Sequence, residues 1–341
     1  MNRLINILVT DQLKNKMEKD SFEWRNGGKK FEVGDKEDGN MSAIVDAGGM
    51  LLCVMRKSIV SIRLADDIDP KRTNSKLPDT QQKVLSYGSD EPFVARTLLQ
   101  ADELFKGNFL SKKFSTLQGR KIAWSLVKEI ASLHEITVEF SKDESEINSS
   151  FSGKTGTDSS LRVPSMDRVE QRTKNFIINA DHAVRHIMEL SQAFYPGLPS
   201  EKWTLHLYDE LKRQVGADHP ATVFVESIKL WVWMMRNLRN AVEHPKTGDK
   251  VEILDYRLTE KGAVVPPAIQ YKNNETPLTE IPVSVFMIST VENLQLTFEL
   301  LLAHLCNINI DSNVGEFLCV AEIPVTKREP NKIHVRFQFV M

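Results

Sequence analysis

The stretch that most constrains this chain is DHPATVFVESIKLWVWMMRNLRNAVEHP, residues 218–245. Asp218 opens it, and Pro220 falls in its first turn, where a missing N–H costs a helix nothing. From Val223 to Met235 it is apolar almost all round. Such a helix has no polar face to give to water, so it predicts burial on several sides, in a bundle core or a subunit interface.

Its neighbours supply a bundle. SMDRVEQRTKNFIINADHAVRHIMELSQAFYP predicts a long helix, with Phe176, Ile177, Ala180, Ala183, Val184, Ile187 and Leu190 at helical spacing on one face. Asp167 and Glu170 suit its first turn, and Pro196–Gly197 stop it. SEKWTLHLYDELKRQVG predicts a second helix, with Ser200 as N-cap and Gly216 past its end. VSVFMISTVENLQLTFELLLAHLCNI predicts a fourth. Between Pro245 and that helix, VEILDYRL and GAVVPPAIQY predict a β-hairpin, and the tail after Gly315 predicts a closing pair of strands around Arg328, Glu329 and Pro330.

The N-terminal part is mixed. Residues 48–69 hold two β-rich runs around Arg56, Lys57 and Ser58, which suits a hairpin, and 70–90 read as loop. EPFVARTLLQADELFKGNF predicts a helix starting near Pro92 and ending at Gly107. LQGRKIAWSLVKEIASLHEITVEF predicts a helix running into a short strand. Residues 141–165 are rich in Ser, Gly, Thr and charge, with too little apolar surface to offset ordering. The expected organisation is therefore α+β: a mixed α/β domain over 1–140, a linker over 141–164, and over 165–341 a four-helix bundle with a β-hairpin insertion and C-terminal strands. A length of 341 residues suits two domains.

Charge narrows the partners. Lys plus Arg is 44 and Asp plus Glu is 46, a net charge of −2. A surface that coats nucleic acid throughout is excluded; a local basic cleft is not. Cys53, Cys306 and Cys319 lie far apart, with no Cys-x-x-Cys pair, and read as reduced core thiols of a cytoplasmic protein. MNRLINILVTDQLKNK lacks the apolar run and cleavage site of a signal peptide, and no stretch of 18 uncharged apolar residues predicts a membrane span.

The end of the apolar helix carries the chemistry. Asn240 and His244 are four residues apart, about 40° from each other on a helix, and Arg239 lies about 140° from His244. Only a long side chain or a loosened last turn lets Arg239 join them. Pro245 disfavours the α conformation at residue 244, so His244 is expected at the fraying end, able to exchange protons. The plain alternative is an Arg239–Glu243 surface ion pair at i,i+4 with His244 capping the last carbonyls.

Arg239, Asn240, Ala241, Val242, Glu243, His244 resembles the Arg-x4-6-His motif of the HEPN superfamily (higher eukaryote and prokaryote nucleotide-binding domains). The four helices over roughly 165–307 are similar to the family's layout too; a β insertion near 250–272 is not part of a minimal bundle of that kind. The resemblance implies a metal-independent endoribonuclease of toxin or phage-defence type, a homodimer whose two motifs face one cleft, with RNA as substrate, no cofactor, no membrane, and a possible antitoxin or regulatory protein as partner. His244 would take the 2′-OH proton, Arg239 would hold the phosphorane oxygens, and Asn240 would orient either. Products would be a 2′,3′-cyclic phosphate and a 5′-OH. Arg236 and His186 are the expected supporting RNA contacts. The alternative class is a non-catalytic bundle that binds RNA, a nucleotide or a protein; a third is a purely structural dimerisation bundle.

Other groupings carry less. His182 and His186 are i,i+4 beside Asp181 and Glu189, but no Glu follows His182 and no third ligand is evident, so they read as helix-surface histidines rather than a metal site. SGKTG (152–156) lacks the first P-loop glycine, since Asn148 stands there. ADDID (65–69) reads as a turn, and Trp231 and Trp233 as core or interface residues.

Overall fold

The computed structural model describes residues 32–74, 76–111, 113–151, 161–246, 249–328 and 333–340. The N-terminal stretch weighed above for a signal peptide, the SGKTG segment, and Glu329 and Pro330 between the expected closing strands lie outside the described residues. The fold is α+β. The chain divides into two compact units, residues 1–91 and 92–341.

The first unit holds an antiparallel meander, β1 (Met41–Asp46), β2 (Leu51–Met55), β3 (Ile59–Arg63) and β4 (Thr80–Leu85), in that spatial order. The expected hairpin is β2–β3, turning at Arg56–Ser58, with Leu52 opposite Ser61 and Cys53 opposite Val60. β4 lies inside the stretch expected to be loop. Its first four residues are exposed, so no apolar alternation marks it, yet it pairs with β3 from Thr80 to Leu85. ADDID forms a helical turn (Ala65–Ile68), where Asp66 pairs with Arg72 at 2.6 Å. Asp38 is buried and bonded by Lys83 Nζ at 2.7 Å; that bond holds its carboxyl below the usual carboxylate range. At Gly88 a Cβ would meet Met55 O at 2.1 Å, so only glycine lets this backbone close on β2.

The second unit begins with an irregular helix. Pro92–Val94 is α-helical, Ala95–Leu99 is π-helical, and Gln100–Phe105 is α-helical again. Five longer helices follow: α1 (Thr116–Ser150), α2 (Val169–Phe194), α3 (Trp203–Val215), α4 (Pro220–Glu243) and α5 (Val283–Ile308). α1, α2, α4 and α5 form the core; α2 touches the other three, and α3 lies on α4. Phe176 of α2 meets Phe286 of α5 edge-on at 5.9 Å. β5 (Lys250–Leu254) pairs antiparallel with β8 (Ala268–Lys272), as expected, and β8 pairs with an unexpected third strand, β9 (Leu278–Pro282). β6 (Arg257–Leu258) and β7 (Val264–Val265) make a short ladder inside that insertion. β10 (Leu318–Glu322) and β11 (Val335–Phe339) are the expected closing pair.

Four expectations change. Residues 141–150 are not linker: α1 runs on to Ser150, and Arg172 of α2 pairs there with Asp143 at 2.7 Å. The compact units accordingly divide at Glu91/Pro92 rather than across 141–164. The β-branched run ITVEF stays helical because Thr137 and Phe140 are buried, with the Arg172 guanidinium 5.1 Å from the Phe140 ring. Ser200 is not the N-cap of α3; Lys202 takes that position in the left-handed region, φ 49°.

α4 is not buried on every side: Val223 is 55% and Leu230 60% exposed. α5 is long and apolar enough to cross a membrane by length and composition, its most apolar 18-residue stretch having a mean hydropathy of 1.3, although it carries Glu292 and Glu299. Its buried residues, among them Phe286, Leu294, Phe298 and Leu301, pack as a soluble core helix does. Cys53 and Cys306 are buried, Cys319 is half-buried, and all three are free thiols.

Candidate functional site at the end of α4

α4 starts with Pro220 in its first position, as expected, but its N-cap is His219, whose side chain accepts from Ala221 N, rather than Asp218. It ends at Glu243. His244 is the C-cap, at φ −134° and ψ 66°, its N–H donating to Asn240 O at 2.7 Å. The following proline pushes it out of the helix, as expected. The imidazole is 71% exposed.

Arg239 turns the other way. Its side chain is only 19% exposed. Nη1 donates to Asn240 Oδ1 at 3.2 Å, and Nη2 pairs with the Glu243 carboxylate. Nε stands 3.9 Å from Asp181 Oδ2 and is buried without a hydrogen-bond acceptor. The Arg239–Glu243 pair is therefore formed, but it is largely sheltered rather than a surface pair. Glu243 is also where Arg239 and His244 meet, with His244 Nε2 at 4.0 Å from Glu243 Oε2.

The inner end of the site is Asp181 on α2, 1% exposed. Arg185, one turn along the same helix, donates to it from Nε at 2.9 Å and lies within 2.8 Å through Nη2. Arg236 of α4 reaches it through Nη1 at 2.8 Å. One buried carboxylate thus gathers three guanidinium groups, which offsets the desolvation that an isolated buried charge would suffer.

Beside this cluster a cavity of about 680 Å³ opens between α2, α3 and α4, lined among others by Arg185, Arg236, Lys202, Trp203, Trp233 and Asn240. Trp233 is fixed by its indole N–H, which donates to Thr204 Oγ1 at 3.1 Å, and Lys229 Nζ lies 5.8 Å from its ring centroid. Trp233 is thus a cavity wall and not only a core residue.

The structure brings Arg236, Arg239 and Asn240 together and sets His244 at their edge. It does not bring in His186, which lies about 140° round α2 from Asp181; its Nδ1 is bonded to Glu189 at 2.9 Å. Among the described residues no group of three His, Cys, Asp or Glu side chains stands where it would hold a metal ion. Sequence reasoning missed Asp181, Arg185, Lys202 and Trp203 as site residues. The i,i+4 spacing of Asp181 and Arg185 was the available signal; the link to Arg236 crosses 55 residues and has none. No family model, curated protein or solved structure matches the chain.

Proposed function

We propose that the chain is a HEPN-like, metal-independent endoribonuclease of toxin or phage-defence type, acting in the cytoplasm as a homodimer. The observation that carries this reading is the end of α4. There an exposed imidazole, His244, and the Arg239 guanidinium approach the same Glu243 carboxylate, with two further guanidiniums gathered on Asp181. Guanidiniums match phosphate oxygens, and an exposed imidazole offers a nitrogen that can accept a proton from a substrate hydroxyl. The exposed apolar residues Val223 and Leu230 of α4, with Val285 and Leu296 of α5, support association of two chains.

In the proposed reaction, neutral His244 takes the proton of a ribose 2′-OH. The 2′ oxygen bonds to the adjacent phosphorus and the P–O5′ bond breaks. The 5′ oxygen leaves with a proton from water, giving a 2′,3′-cyclic phosphate and a 5′-OH. Arg239 would stabilise the phosphorane once the substrate phosphate replaces Glu243 as its partner, and Asn240 would hold the guanidinium through Oδ1. Residues 1–91, or a separate antitoxin-like partner, would restrain or target the activity.

One observation favours the non-catalytic reading, a module that binds RNA or a nucleotide: Arg239 is engaged by Glu243 within its own chain. Incubation of the protein with tRNA and mixed RNA in excess EDTA separates the two. Cleavage with cyclic-phosphate ends, reduced about 10²–10⁴-fold in His244→Ala, supports the enzyme. RNA retained by both proteins and cut by neither leaves the binding module.

A further inference from the structure

We infer that the cavity between α2, α3 and α4 receives one unpaired nucleotide of the RNA, its phosphate on Arg185 and Arg236 and its base against Trp233. The identity of the ligand rests on the RNA reading above; the site rests on its own geometry. Asp181 is saturated and almost wholly buried, whereas Arg185 and Arg236 remain 39% and 48% exposed beside the cavity. Arg236 spends only Nη1 on Asp181, and Arg185 only Nε and Nη2. The remaining N–H groups of two adjacent forks suit a second anion with several oxygens, which is what a phosphate offers. Lys202 adds a third cation at the rim, and α3 begins there with no side-chain cap on its first turn.

The other half of the cavity is a base site. Trp203 and Trp233 line it with Val184, Met188 and Val232. The bond from Trp233 to Thr204 fixes its indole before any ligand arrives, so little ordering remains to oppose stacking. A volume of about 680 Å³ suits a ligand of nucleotide size and excludes a base pair in its duplex. The carboxylates of Glu201 and Glu275 also line the cavity. Their oxygens accept hydrogen bonds, which suits bases that carry an exocyclic amino donor. Asn240 lines the cavity and also accepts from Arg239, which links the captured nucleotide to the guanidinium of the proposed cleavage site.

The test reads binding alone, by anisotropy of labelled oligonucleotides of about eight residues, on full-length protein carrying His244→Ala. Oligo(A) should bind more tightly than oligo(U), and a blunt RNA duplex hardly at all. Trp233→Leu should weaken oligo(A) about 10–100-fold, the loss of one stacked base. Arg236→Gln should weaken it and reduce the salt slope by about one counterion. Lys202→Gln, on the exposed rim, should weaken it without touching the core, and so covers the case in which an interior variant fails to fold. Unchanged affinity in folded Trp233→Leu and in Lys202→Gln, or equal binding of duplex and single strand, overturns the proposal. Binding that follows this pattern without cleavage by the parent protein removes the nuclease and keeps the pocket; cleavage without it does the reverse.

Discussion

Asp181 and Glu299 are the same kind of group in two different settings. Both carboxylates are buried, at 1% and 3% exposure, and both bind arginine. Asp181 holds guanidiniums that stay half open beside a cavity. Glu299 of α5 is closed over. Arg96, from the π-helical turn, donates to its Oε2 through Nε at 2.8 Å; His334 Nδ1 lies 2.9 Å from Oε1, which is buried without a hydrogen bond. Gln100, fully buried, then seals the chain beside His334: its Oε1 accepts from His334 N and Val335 N, and its Nε2 donates to Val335 O at 2.7 Å. A buried charge held between an arginine and a histidine from distant segments fastens those segments together. A buried charge whose partners face a cavity holds them ready for a ligand.

The largest effect that could break this contrast is on stability. Glu299→Ala removes the buried carboxylate that Arg96 and His334 share, and should cost about 3–5 kcal/mol, the usual loss when one member of a buried pair is deleted. Asp181→Ala should cost less, about 1–3 kcal/mol, because Arg185 and Arg236 can turn to water. Urea denaturation of the two variants side by side decides it. If Asp181→Ala proves the more damaging, the two carboxylates are both structural and the distinction drawn here is wrong.

The contrast also shows what the sequence could carry. α2, α4 and α5 were legible because apolar periodicity, Pro220 and Gly216 all point one way. The β2–β3 hairpin was legible as two β-rich runs around Arg56–Ser58, and the closing strands as runs on either side of Arg328. β4 was not, because an edge strand with four exposed residues shows no alternation. The helical residues 141–150 were not, because their polar composition matches a linker while their support comes from α2, far along the chain. At the site, Arg239, Asn240 and His244 could be read from local spacing. Arg239 pairs with Glu243, the i,i+4 alternative that local spacing offered; its nearness to Asp181, 58 residues before it, has no local signal. Both buried carboxylates depend on such distant pairs, so neither was visible as a centre.

A smaller effect sharpens the closed side. Gln100→Ala leaves two N–H groups and one carbonyl of the chain at 334–335 without their partner, and should cost about 1–3 kcal/mol. The loss should be local. Hydrogen exchange at Val335 should quicken while amides in the middle of α4 keep their protection, since the segment opens without the bundle. Equal acceleration in both places would mean that Gln100 supports the whole unit rather than the seal over Glu299.

The smallest expected effect is a pH slope, and it belongs to the closed side. Burial pushes His334 below the ordinary histidine value of 6.5; Glu299 opposes this, and Arg328 and Arg96 add to it. The unfolded chain therefore binds the proton more readily than the folded one. The contribution is complete above 6.5, where both states are neutral, and is lost as pH falls through the lower folded value. His304 behaves in the same sense, through burial first and His219 second. Melting temperatures measured at pH 7.5 and pH 5 should thus fall with acid. The fall should be smaller in His334→Gln and smaller again when His304→Gln is added. If His334→Gln keeps the whole slope, the acid response lies elsewhere, and the Glu299 cluster is closed to protons as well as to ligands.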